Sequence, residues 1–465
     1  MSAGPGGRAG AGTEEGAVAP VPVEVAQTRI LELLGGSAVG GPGVATETVP
    51  IGEALGRILA EPVVAATSLP PWDNSAMDGY AVRAADVAGA TEVEPVRLVV
   101  AGEVAAGAAP ERSVAPGEAI RIATGAPMPP GADSVVVVEM TTPLDATGSR
   151  GTRGRDAVGP LPSAVLVHGG VPAGANIRRA ADDLVAGEPL LESGTAVGPA
   201  QVALVAGAGV GTVVVHRRPR IGVLATGDEL RAAGEPLGPA GIPNSNGPGL
   251  RALVTRAGAD AVDLGIARDN LDDVLERLRR GLAEGCYAIV VSGGVSVGPY
   301  DVVKTAFEEL GTVDLWRVAV QPGKPFALGV VPREGGLGPA PLFGLPGNPV
   351  SSFVTFELFV RPAIRALAGR RDRFRPLDRG VLLQSARTSL GRRAYLRVTA
   401  ERDEDGAVTR DGTGRACVRL AGGSAGQGSH VLSALATAEA LAIVPEAVET
   451  HAAGDPVDLI WLDIE

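Results

Sequence analysis

The sequence predicts a multidomain α+β and α/β protein, with a central doubly wound, mainly parallel α/β domain flanked by small β domains. Three observations predict it. Between Ile221 and Leu367, apolar β-rich runs alternate with amphipathic helical stretches, the pattern of strand–helix–strand units. On either side the pattern changes to short Val-rich runs cut by Gly/Pro turns, as small β domains require. A chain of 465 residues also exceeds one compact core, so its length calls for two to four domains.

The elements follow in order. Residues 1–20 are low-complexity Gly/Ala/Pro sequence and are expected to be disordered. Val25–Leu34 reads as an amphipathic helix, and Ile51–Ala60 as a second helical stretch. Val96–Val100 and Ser134–Val138 read as strands, Asp145–Pro162 as a loop or insertion, and Thr212–Val215 as a further strand. In the central domain the expected strands are Ile221–Ala225, Ala261–Ile266, Tyr287–Val291 and Leu342–Leu345. The helices between them are Leu250–Ala257, Leu271–Leu282, Val302–Leu310 and a long apolar one, Ser351–Leu367. After Arg370, alternating short strands continue to Trp461, with turns at Asp405-Gly406 and Gly422-Gly423. This is a separate all-β domain.

Composition narrows the function. Aromatics are only 3% of the chain, so the cores must be built from Ala, Val, Leu and Ile. The formal charge of -12 comes without any block of Lys and Arg, which argues against a nucleic-acid partner but not against a phosphate ligand. Two cysteines, Cys286 and Cys417, and no C-x-x-C pair exclude a disulfide framework and a cysteine zinc cluster. The N-terminus has no apolar signal-peptide core, and no apolar run reaches membrane-span length. The expectation is a soluble, cytoplasmic protein. Among 41 basic residues only Lys304 and Lys324 are lysines. A lysine surviving such a bias is a candidate for work that needs a compact ammonium, and Lys324 is the stronger of the two.

In open α/β sheets, ligands bind at the carboxyl ends of the strands. Three loops fall there: Thr226–Leu230 (TGDEL), Ser292–Gly298 (SGGVSVG) and Leu345–Pro349 (LPGNP). The second, with Ser292, Gly293, Gly294, Ser296 and Gly298, can turn successive backbone N–H groups toward an anion, although no Walker A motif occurs. Asp228, Glu229, Asp269 and Asp301 cluster at the same strand ends. Hard carboxylate oxygens without histidine point to Mg²⁺ held together with substrate phosphates. For Asp269 and Asp301 the alternative is helix N-capping, since each directly precedes a helical stretch. The loop Gln321-Pro322-Gly323-Lys324-Pro325 presents an ammonium beside a glycine N–H, which suits an oxyanion. Two further motifs, residues 73–81 (DNSAMDGYA) and 121–127 (RIATGAP), have no role that spacing alone supplies and also fit ordinary turn chemistry.

At these places the chain resembles the molybdopterin molybdenumtransferase family, which includes the gephyrin E domain. The stretches that carry the resemblance are DNSAMDGYAV (73–82), RIATGAPMPPGAD (121–133), TGDEL, SGGVSVG, QPGKPFALG (321–329) and LPGNPVSS (345–352), in the family's order. The resemblance implies an elongated homodimer divided into residues 21–69 with 172–216 (an elongated N-terminal domain), 70–171 (an inserted β domain), 217–370 (the molybdopterin-binding α/β domain) and 371–465 (a C-terminal β domain). It implies insertion of molybdate into adenylylated molybdopterin with Mg²⁺, giving molybdenum cofactor and AMP. Asp228, Glu229, Asp269 and Asp301 match the metal-binding acids. Asp78 and Thr124 match residues that reach the site from the partner subunit. Arg317, Lys324, Pro346, Pro349, Arg397 and Ser429 match the molybdate pocket, with Gly347 and Asn348 between the two prolines. Partners would include a molybdopterin adenylyltransferase and apo-molybdoenzymes.

Two positions depart from the family pattern: Gln321 stands where many relatives have Lys, and Arg317 where Lys is common. Either change bears on molybdate affinity or on a preference for tungstate. Three other readings compete: an adenylyltransferase acting one step earlier, a non-catalytic molybdopterin-binding scaffold, and a nucleotide-amide hydrolase sharing the α/β domain. The extra domains with DNSAMDGYA and LPGNP argue against the first, and the motifs at 73–82 and 121–133 against the last.

Overall fold

The computed structural model describes residues 20–35, 45–155, 159–295, 302–333, 338–423 and 426–462. The expected disordered tail, except Pro20, and Ser296, Gly298 and Asp301 lie outside the described residues.

The central domain is a six-stranded sheet in the order Asp260–Ala267, Arg220–Thr226, Ala288–Ser292, Ala340–Leu345, Pro325–Val331, Thr312–Arg317. The first four strands are mutually parallel, and Pro325–Val331 pairs antiparallel with both of its neighbours. Every residue of Ala288–Ser292 and Ala340–Leu345 is buried, as expected of inner parallel strands covered on both faces. One face packs against the helices Val23–Leu33, Asn246–Arg256 and the stretch from Pro349 to Leu367. The other packs against Leu271–Ala283 and Val302–Leu310. Helix Leu271–Ala283 shows how sequence places an element: Val274, Leu275, Leu278 and Gly281 form its buried stripe, and the Asn270 side chain accepts from the Asp273 N–H to cap it.

One strand has no counterpart among the sequence expectations, and one expectation changes here. Pro325–Val331 is a strand, although the neighbouring Pro-Gly-Lys-Pro loop masks its pattern. The long apolar helix is interrupted: helical turns Pro349–Thr355 and Arg361–Leu367 flank a π turn, Phe356–Val360, whose five residues are all buried. At that turn the buried Glu357 carboxylate receives Arg375 Nε at 2.5 Å and has Arg361 Nε at 3.4 Å, the pairing a buried charge requires.

The N-terminal segments form a second region. Strand Thr46–Pro50 pairs with Thr212–His216, so the chain leaves and returns at one place around an intervening six-stranded sheet. That sheet runs Ser134–Val137, Gly79–Val82, Glu118–Ile122, Val96–Val104, Ala164–Val167, Thr141–Leu144. The helix expected over Ile51–Ala60 is only a 3₁₀ turn, Ile51–Glu53. Gly52 and Gly56 weaken helix formation, and Ile58 and Leu59 instead bridge to Ala196 and Val215. In Thr212–His216 the His216 ring is buried, and neither of its nitrogens has a partner among the described residues. Burial therefore holds its pKa below the ordinary histidine value. The unfolded chain binds this proton more readily, so the stabilisation is complete above about pH 6.5 and is lost as pH falls through the folded value. The denaturation midpoint of the native chain is expected to fall between pH 7 and 5 more steeply than that of His216→Phe.

The C-terminal region closes on itself. Arg393–Ala400, Ala416–Leu420, Leu377–Leu382, Pro456–Trp461 and Ala440–Val444 pair in that order, and the last pairs back to the first. Closure into a five-stranded barrel removes the exposed sheet edges. The short strand Val320–Gln321 joins this barrel beside Arg393–Ala394, so the loop carrying Lys324 runs between the α/β domain and the barrel. Among the described residues, no helix is long and apolar enough to cross a membrane.

Candidate functional site

A cleft of about 1200 Å³ opens at the carboxyl edge of the central sheet. All three loops expected there line it: Thr226, Gly227 and Glu229 from the first, Ser292–Val295 from the second, and Pro346–Pro349 from the third. The loops are packed on one another. The Gly293 N–H donates to Leu345 O at 3.1 Å. Gly293 has φ of +99°, and a Cβ there would lie 2.6 Å from Thr226 O, so only glycine lets the second loop lie against the first.

Asn246, at the start of helix Asn246–Arg256, ties the second and third loops together. Its amide donates to Ser292 Oγ and to Gly347 O, each at 2.7 Å. Ser352 donates to Pro346 O and stands 3.3 Å from Ser292 Oγ, closing the network. Below it, Thr226 Oγ1 is buried without a partner among the described residues. Arg231 braces the first loop by donating to Asp228 O at 2.8 Å and Leu230 O at 2.7 Å. Sequence reasoning missed Asn246 and Arg231. The run Asn244-Ser245-Asn246 before Gly-Pro is the one signal that points to the first, and nothing in the spacing marks the second.

Three of the four expected acids meet at one end of the cleft. The Asp228 N–H faces Asp269 Oδ2 at 3.4 Å, and the Asp269 N–H faces Asp228 Oδ1 at 3.3 Å. The Glu229 carboxylate folds back over Gly227, where a Cβ would lie 2.6 Å from Oε2. Burial, with the Asp228 and Glu229 carboxylates, raises the Asp269 pKa. Asp269 is not the helix cap, because Asn270 holds that position. Among the described residues no group of three or more His, Cys, Asp or Glu is placed to hold a metal ion by itself. The donor chemistry, carboxylate oxygens without histidine or cysteine, fits a hard cation such as Mg²⁺ that takes most of its ligands from substrate phosphates and water.

None of the other expected residues is among the described residues lining this cleft. Arg317 pairs in register with Pro325, a cleft residue, and the exposed Lys324 precedes it in the chain. Gln321 Oε1 accepts the Ser389 N–H at 2.9 Å, so its amide is engaged by the barrel. Arg397 is 1% exposed. It donates to Gly428 O at 3.1 Å and Gly426 O at 3.4 Å, holding the loop that carries Ser429. The Ser429 carbonyl in turn accepts Val350 N–H at 3.1 Å, which pins that loop to the α/β domain. Asp78 and Thr124 belong to the intervening sheet and are both exposed. Asp78 Oδ1 accepts from Thr124 N at 2.7 Å and Thr124 Oγ1 at 2.9 Å. Neither is among the described residues lining the cleft of the same chain.

Three family models match the chain in succession: the MoeA N-terminal region (domain I and II) over residues 21–209, a probable molybdopterin binding domain over 222–366, and the MoeA C-terminal region (domain IV) over 379–462. Molybdopterin molybdenumtransferase 2 of Mycobacterium tuberculosis is 38% identical over 420 residues, covering 89% of this chain and 94% of the relative. The chain belongs to the molybdopterin molybdenumtransferase family. Molybdopterin molybdenumtransferase of Bacillus subtilis is 35% identical over 347 residues, 74% of each chain. The solved molybdopterin biosynthesis MoeA protein of Pyrococcus horikoshii superposes with a TM-score of 0.73 at 29% identity, covering 95% of this chain and 99% of that one. The fold expected from the sequence, a multidomain α+β architecture around a central α/β domain, is the one this family member adopts.

Proposed function

We propose that this chain works in the cytoplasm as a homodimer that inserts molybdate into adenylylated molybdopterin, releasing AMP and molybdenum cofactor. The observation that carries this reading is the meeting of three clasped, glycine-containing loops with Asp228, Glu229 and Asp269 in one cleft. Ser292, Gly293, Gly294, Pro346, Gly347, Asn348 and Pro349, with Ser296 and Gly298, would cradle the pterin nucleotide. The acids, with Asp301, would hold Mg²⁺, which when bound offsets the charge of the phosphoanhydride. Lys324, Arg317, Gln321, Arg397 and Ser429 would form or support the oxyanion pocket. Asp78 and Thr124 of the partner subunit would complete the site.

The work of these residues is positioning and charge neutralisation. Held against the adenylyl phosphorus, a molybdate oxygen forms the new P–O bond as the anhydride bond breaks and the molybdopterin phosphate leaves. The Mo–O bond to the adenylyl group then breaks as the two dithiolate sulfurs bind the metal, so that AMP leaves with that oxygen. The two thiol protons leave with one further molybdate oxygen as water. Purified chain incubated with adenylylated molybdopterin, Mg²⁺ and molybdate should release AMP and reconstitute an apo-molybdoenzyme, with label from ¹⁸O-molybdate in the AMP. Substrate binding without either product would contradict the reading and leave a binding scaffold. The Asn246 clasp gives a separate expectation. Asn246→Asp keeps the size but removes both N–H donors, and should weaken substrate binding about 10- to 100-fold. KM should carry the loss while the thermal midpoint stays near that of the native chain.

A further inference from the structure

Among the described residues lining the cleft, three have ionisable side chains: Glu229, Asp269 and His430. A cleft proposed to take anionic ligands thus has two carboxylates at one end and, among its described lining, an imidazole ring from the C-terminal barrel domain. That imidazole stands on a loop with little freedom. Gln427 Nε2 donates to Arg397 O at 3.0 Å and Ala421 O at 2.9 Å, and its Oε1 accepts Arg397 N at 2.8 Å. Arg397 holds the carbonyls of Gly426 and Gly428, and Ser429 O is pinned by Val350 N–H. A Cβ on Gly428 would lie 2.9 Å from His430 Cε1, so the ring folds back over a residue with no side chain. These restraints hold residues 426–429, directly before an exposed His430 in the cleft wall.

We propose that His430 is a ligand-contacting residue of this site, donating through its ring to a tetrahedral oxyanion, either molybdate or a phosphate of the adenylylated pterin. The inference rests on the function proposed above. A preorganised donor costs no reorganisation when the anion arrives, and a charge-assisted hydrogen bond is the strong kind. The buried Arg397 guanidinium then has a stated part: it acts through the loop, as a positioning residue for His430.

The test uses the full chain and titrates molybdate alone, then adenylylated molybdopterin with Mg²⁺, into native protein, His430→Gln and His430→Arg. Affinity should fall at least about 10-fold in His430→Gln for one of the two ligands, and His430→Arg should restore part of it. A loss confined to molybdate assigns the contact to the metal oxyanion, and one confined to the nucleotide assigns it to phosphate. Gly428→Ala, which displaces the ring without removing it, should lower the same affinity. Unchanged affinity for both ligands in His430→Gln, with native AMP release, would overturn the inference alone. Native chain that binds neither ligand and releases no AMP would overturn the functional reading beneath it.

Discussion

Glu229→Gln is expected to lower AMP release by about 100- to 1000-fold, the size of losing several kcal/mol of charge stabilisation at the reacting phosphate. The substitution is nearly isosteric, and the Glu229 carboxylate lies over Gly227 in the first loop, outside the hydrophobic core. Stability should therefore barely change. The loss should be partly recovered by raising Mg²⁺, because Asp228 and Asp269 remain in place with their reciprocal N–H contacts. Full activity in Glu229→Gln at limiting Mg²⁺ would remove this carboxylate from the reaction.

Arg397→Ala is expected to cost the C-terminal barrel about 3 kcal/mol, measured by denaturant unfolding of that region. The truncation leaves a cavity at a residue 1% exposed and orphans the carbonyls of Gly426 and Gly428. Arg397→Met separates two effects. Burial already disfavours the Arg397 charge and lowers its pKa, and its Nε has no partner among the described residues. An apolar side chain of similar length should thus recover much of the stability. It should not recover oxyanion binding, because the Gly426 and Gly428 carbonyls lose the donors that set their path, while Gln427 and Val350 still hold the rest of the loop. Recovery of both would mean that the loop positions itself.

What the sequence made legible follows from range. Local patterns reported the strands Arg220–Thr226 and Ala288–Ser292 and the helix Leu271–Ala283, because each carries its own periodicity or apolar run. The ends of the parallel strands then located the three loops, since strand direction alone brings Thr226, Ser292 and Leu345 to one edge. Contacts between distant segments left no local mark. Asn246 reaches Gly347 across 101 positions, and the barrel closes through the pairing of Arg393–Ala400 with Ala440–Val444. The Ile51–Ala60 expectation failed because bridges to Ala196 and Val215 outweigh a helical pattern already weakened by two glycines. The motif match puts Arg397 at the molybdate pocket, but it reports position and not depth. Its burial beneath the 426–429 loop is a tertiary fact.

The central claim is that the cleft joining the three loops holds the pterin nucleotide. Hydrogen exchange of the full chain with and without adenylylated molybdopterin tests it most directly. The account predicts slowed exchange in residues 226–230, 292–295 and 345–350, together with 426–430 from the barrel. Protection elsewhere, with these four segments unchanged, would contradict it.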